Sequence, residues 1–197
     1  STLNDQRFVT STDLEGRYEL FLEDVDDDSK EMLILSASGY GDENFIQYRS
    51  ILGVYSEIKS SAGTDNLLVA SEEFGVNITN LTTASFGMNH IKNGNETPNS
   101  VSSMLQADLR VNAEEMLMAS AAIRLAIELA QDGSDYLIPE GMSTLDLSTS
   151  TEALNNFMRA VQQNDGSVVA DSKIESITDP IAVDQQRGVG EDILFIF

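Results

Sequence analysis

The hydrophobic pattern changes its period once, near Ser71, and that change decides what the chain can build. Before it, apolar residues alternate or form short unbroken runs, as strands require; after it they recur at three and four residues, as on a helix face. Arg17-Tyr18-Glu19-Leu20-Phe21-Leu22 alternates large apolar with polar groups, and Met32-Leu33-Ile34-Leu35-Ser36-Ala37-Ser38 is apolar enough for a buried strand. Residues 45–55 predict one long or two short strands, and residues 67–70 a closing one. The Gly- and Asn-containing stretches 39–44 and 60–66 supply the turns.

Beyond Ser71 the cap signals of helices take over. Thr97-Pro98 reads as an N-cap and first-turn proline ahead of Val101, Met104, Leu105 and Leu109. Asn112, with Glu115 three residues on, opens the longest helix, 113–131. There Met116, Ser120, Ile123 and Ile127 form one stripe and Leu117, Ala121, Leu125 and Leu129 its neighbour. So wide an apolar arc predicts a mostly buried helix, with Arg124 and Glu128 emerging together and Asp132-Gly133 as its stop. Thr149 and Glu152 form a second capping box before Leu154, Phe157, Met158 and Val161, and residues 164–166 end that helix. A weaker helix spans 81–91, stopped by Asn93-Gly94, and Ile193-Leu194-Phe195-Ile196-Phe197 reads as a strand. The expectation is an α+β chain, a β module followed by a helical one.

Charge removes several functions. The chain carries 33 acidic and 11 basic side chains, a formal charge of −22. A surface of that sign does not bind nucleic acid phosphates or anionic membranes. With 41% hydrophobic residues a core can form, and no apolar run approaches the roughly 20 residues a bilayer demands. Cys and Trp are absent and His occurs once, as His90. Thiolate chemistry is excluded, and a Ser–His–Asp constellation would have to run through His90, which no Gly-x-Ser-x-Gly elbow accompanies. His90 reads instead as a helix-end residue. Catalysis would have to rest on carboxylates, hydroxyls or a metal, and no pair stands out.

The one dense carboxylate run is Glu23-Asp24-Val25-Asp26-Asp27-Asp28. Asp24, Asp26 and Asp28 share the alternate spacing that opens a calcium loop, which makes them the candidate metal ligands, with Asp42 or Glu43 as further donors. The calcium-loop pattern then fails, with Ser29 where Gly is needed and Leu35 where a bidentate Glu is needed. The competing reading is a solvated acidic turn. Asn77, Asn80 and Asn95 head glycosylation sequons by pattern, but read more simply as turn and cap residues. Met116 and Met118 read as core.

Thr12-Asp13-Leu14-Glu15-Gly16-Arg17-Tyr18-Glu19-Leu20 resembles the T-D-x-x-G-x-Y-x-L signature of carboxypeptidase-regulatory-like modules. Leu33-Ile34-Leu35-Ser36-Ala37-Ser38-Gly39-Tyr40 is similar to the strand of that family that ends in Gly-Tyr. The resemblance covers residues 8 to about 55. It implies a small antiparallel β-sandwich over 1–72, with Thr12, Asp13 and Gly16 in a turn and Tyr18 and Leu20 pointing inward. A helical domain of three to four helices with a C-terminal strand would occupy 73–197. Residues 78–84 are similar to segments that follow such modules in uncharacterised bacterial envelope proteins.

Such modules have scaffold or binding roles and carry no catalytic residues of their own. The family usually has one or two strands before its turn, where this chain offers only about ten residues and begins at Ser1. The expectation is a piece of a longer polypeptide, its sandwich completed by residues 193–197 folding back or by a strand from another chain. Functionally, this predicts a non-enzymatic structural or adhesion module of a bacterial envelope or extracellular protein, partnered by proteins or by itself. One alternative is a subunit of an extracellular filament assembled by strand donation. Another is a carboxylate- or metal-dependent glycan hydrolase, which would place two carboxyl groups roughly 5–10 Å apart.

Overall fold

The computed structural model describes residues 2–3, 6–69, 71–131, 142–165 and 194–196. In chain order these form β1 (Thr2–Leu3), β2 (Gln6–Arg7), β3 (Glu19–Phe21), β4 (Met32–Ser38), β5 (Gln47–Val54), α1 (Tyr55–Ser61) and β6 (Leu67–Val69). There follow α2 (Asn80–Lys92), α3 (Val101–Asp108), α4 (Ala113–Gln131), α5 (Thr144–Thr149), α6 (Thr151–Asp165) and β7 (Leu194–Ile196). The chain is therefore mixed α and β, with six α-helices among the described residues and a two-stranded antiparallel hairpin, β4–β5.

The alternation read from the sequence places the β core. Tyr18, Leu20, Leu33, Leu35, Leu52 and Leu68 are buried together, joined by Tyr55, Ile58 and Val76. β4 and β5 pair from Met32↔Val54 to Ser38↔Gln47, with a register shift between Leu33 and Ile34 that Gly53 accommodates at φ 128°. A second sheet has the order β3–β7–β6, with β7 antiparallel to β6 but parallel to β3. That parallel pair departs from the all-antiparallel expectation; a tight turn would force antiparallel pairing, and none joins β7 to either neighbour, so both directions are open to it.

Tyr55, expected to end a strand, instead opens α1. Val54 offers no side-chain cap; the Tyr55 and Ser56 amides donate to the carbonyls of Glu31 and Ser29, at 3.0 and 3.1 Å. Two other helix starts move as well. Ser100, not Thr97, caps α3 and exchanges a capping box with Ser103, while Pro98 is buried ahead of it. Thr149 closes α5, a helix the sequence reading lacked, and Ser150 receives the Ala153 amide to cap α6. The stops at 132–133 and 166 and the ends of the final strand, Ile193 and Phe197, lie outside the described residues.

The helical core forms on α4, whose residues 119–123 are all buried. Ala122, Ile123 and Leu125 pack there with Ala84 and Met88 of α2, Leu147 of α5 and Leu154, Phe157 and Val161 of α6. Arg124 and Glu128 do emerge as a pair, 2.9 Å apart. Asn112 receives the Glu114 amide at 2.8 Å, and Glu115, expected to complete that box, is held by Lys92 at 3.0 Å. Met118 is exposed, whereas Met116 packs on the core. No helix among the described residues is long and apolar enough to cross a membrane.

Candidate functional site

The turn before β3 is built by one carboxylate. Asp13 Oδ1 accepts from the Glu15 and Arg17 amides at 3.0 and 2.9 Å, and its Oδ2 accepts from Arg17 Nε at 2.7 Å. The main chain closes the same loop, with the Asp13 amide donating to the Arg17 carbonyl and the Gly16 amide to the Asp13 carbonyl. Gly16 takes φ 82°, which is why the motif needs a residue without Cβ there. The Arg17 amide, with the guanidinium behind it, holds the Asp13 carboxyl below the usual carboxylate range.

Beyond the turn, Tyr18 is buried and its hydroxyl donates to the Val76 carbonyl at 2.6 Å. Burial pushes that phenol upward. A shallow polar groove of about 470 Å³ lies along this segment, lined by Thr10, Ser11, Asp13, Arg17, Tyr18 and Glu19. It offers hydroxyls and carboxylates to a polar ligand, and its guanidinium is already engaged by Asp13 and Glu15.

The acidic run is spread along a loop. Asp24 sits at φ 56°, Asp26 Oδ1 receives the Asp28 amide at 3.1 Å, and Asp27 pairs with Lys59 of α1. Among the described residues no three His, Asp or Glu side chains gather closely enough to hold a metal ion. Asp42 and Glu43 cannot assist Asp24, Asp26 or Asp28: they occupy the tip of the β4–β5 hairpin, and the run lies before its open end. Seven residues of β4 separate the two, on the order of 20 Å at about 3.3 Å per residue.

His90 lies in the last turn of α2, stacked on Phe86 with centroids 6.3 Å apart and planes at 16°. Arg49 of β5 sits over the same Phe86 ring, 5.4 Å from its centroid. His90 Nδ1 is buried with no hydrogen-bond partner among the described residues. Loss of solvation, and then the Arg49 charge, lower its pKa. Both effects disfavour the imidazolium, and among the described residues no carboxylate hydrogen-bonds the ring to orient it as a general base.

Two sequons are committed to packing. Asn77 is 8% exposed, and Asn80 donates to the Ser120 hydroxyl and carbonyl at 3.0 and 3.3 Å. Asn95 is exposed in the turn after α2, at φ 64°.

The polar contacts that sequence reasoning missed tie the two cores together. Along β5, the Gln47 amide donates to Thr144 Oγ1 at 2.8 Å and the Arg49 amide to Thr83 Oγ1 at 3.0 Å. Ser50 Oγ donates to the Gly75 carbonyl at 2.7 Å. Helix-borne hydroxyls thus stand where a neighbouring strand would, which closes an edge that would otherwise template aggregation. No local pattern marks such residues; burial of Thr83 and Thr144, both 0% exposed, is what reveals them. Comparison with family models, with curated proteins and with solved structures finds no match to this chain.

Proposed function

We propose that the chain is a non-enzymatic structural module of a bacterial envelope or extracellular protein. Its first 72 residues, completed by the Leu194–Ile196 strand, form a regulatory-like β-sandwich whose layers are the β4–β5 hairpin and the β3–β7–β6 sheet. The observation that carries this reading is the parallel pairing of β3 with β7 through Glu19↔Leu194, Leu20↔Phe195 and Phe21↔Ile196. Tension on the chain before Glu19 and after Ile196 pulls two parallel neighbours in opposite directions along their axes. All bonds of that ladder are then loaded at once, whereas an antiparallel hairpin pulled from its open end loses them one by one. The Asp13 turn and the Tyr18–Val76 bond anchor the entry to β3, and burial of Leu20 and Leu68 fastens the sheet to the core. The high negative charge suits a saline, cation-bearing exterior, where it is screened.

Force spectroscopy on a tandem array of this chain tests the proposal. A distinct rupture peak is expected, and Phe195→Pro, which removes an amide from the central strand, lowers that force by half or more. Extension without a peak, or an unchanged force in the variant, would overturn the reading.

A further inference from the structure

We propose that the slot between β3 and β6 is a strand-acceptor site that also takes the Leu194–Ile196 strand of a second copy of this chain. The inference rests on reading β7 as the closing strand of the N-terminal sheet. Among the described residues β3 and β6 have no strand partner except β7, which bonds to both. Leu20 and Leu68, at the middle register positions on either side, are 6% and 0% exposed, so the slot is attached to the core whichever strand fills it.

What enters the slot is recognised mainly through its backbone, as in β-augmentation. No short turn binds β7 to the strands it joins: β6 ends at Val69, β3 at Phe21, and residues 166–193 separate α6 from β7. At full extension that length of chain would span on the order of 90 Å, enough to reach a neighbour. The same main-chain bonds can therefore form within one chain or between two, and effective concentration weighs one against the other. A tethered segment commonly competes at about millimolar effective concentration. Exchange is expected where copies reach that density, and where salt screens the charge of −22 that keeps them apart.

The absence of cysteine makes the test clean. Val69 and Leu194 are register partners, which places their Cα atoms about 4.5–5.5 Å apart, within reach of a disulfide. Full-length Val69→Cys and isotopically labelled Leu194→Cys chains are mixed near millimolar concentration in high salt, oxidised, and weighed by mass spectrometry. A crosslink joining one labelled and one unlabelled chain, well above either like-with-like crosslink, is expected; adding Phe195→Pro to the labelled chain should abolish it. The doubly substituted chain, oxidised when dilute, should close on itself. Internal closure without the mixed crosslink would overturn exchange while leaving the closing strand intact. Failure of both would overturn the β6–β7 pairing and the proposed function with it.

Discussion

Thr144 replaces a missing strand for Gln47. Its hydroxyl donates to the Gln47 carbonyl at 2.7 Å and accepts from the Gln47 amide at 2.8 Å, while its own amide donates to the Phe45 carbonyl at 2.9 Å. A residue at the start of α5 thus satisfies both backbone groups of the first residue of β5, and it does so fully buried. The β hairpin and the helices are coupled here by directional bonds as well as by apolar contact.

Replacing Thr144 by Val keeps the shape and removes both hydroxyl bonds, leaving the Gln47 amide and carbonyl unmatched. The expected loss is about 2–3 kcal/mol, read as a lower urea midpoint, while Thr144→Ser retains most of the stability. An unchanged midpoint in the Val variant would show that water serves Gln47 equally well.

At Gly87, α2 approaches Ser148 of α5 closely. A Cβ there would overlap the backbone carbonyl of Ser148, and backbone cannot rotate away as a side chain can. Gly87→Ala is expected to cost about 2 kcal/mol or more, because one helix must shift against a packed neighbour. Thermal unfolding measures it, and an unaltered Tm would contradict the close crossing.

Alkaline pH should weaken the fold through its buried phenols. Burial raises Tyr18 and Tyr55 above the ordinary value and pushes Tyr48 up to about 12. Unfolded tyrosine ionises near pH 10. Below that, both states are protonated and the stabilising contribution is fully present. As pH rises from about 10 toward 12, the unfolded chain releases protons the folded one keeps, and stability falls. For Tyr48 alone the loss is on the order of 2 kcal/mol. A spectrophotometric titration should show these phenolates emerging late and together with the loss of helical circular dichroism.

Acid acts through His90 with the opposite sense. Its folded pKa is lowered, first by burial and then by Arg49, so below about pH 6.5 the unfolded chain binds a proton that the native state resists. Stability relative to a His90→Gln variant should fall as pH drops from 7.5 to 5, and level off once the folded imidazole is protonated. The single histidine gives one imidazole resonance, whose midpoint below the ordinary value is the direct check.

The legible parts of this fold are those whose causes are local. Tyr18 and Leu20 lie in the alternating run 17–22, Leu33 and Leu35 in the apolar run that starts at Met32, and the Asp13–Gly16 turn follows from residue types that favour it. The α4 stripe follows from its period. α1 was illegible because its first amides are satisfied by Ser29 and Glu31, more than twenty residues earlier. α5 is short and rich in hydroxyls, so its cap Ser143, which bonds Asp146, was the only available signal. The parallel β3–β7 pair has no local signature, since nothing in Glu19–Phe21 specifies a partner at Leu194. At the candidate sites, spacing suggested that Asp24, Asp26 and Asp28 could share a ligand, but it could not place Asp42 and Glu43 at the far end of a hairpin.

The central claim is that β7 closes the N-terminal sheet, and amide hydrogen exchange tests it most directly. Protection is expected within Glu19–Phe21 and Leu67–Val69 of the intact chain. Phe195→Pro should lose it there while Asn80–Lys92 of α2 stays protected. Rapid exchange of both strands in the unsubstituted chain, or protection that survives the proline, would contradict it.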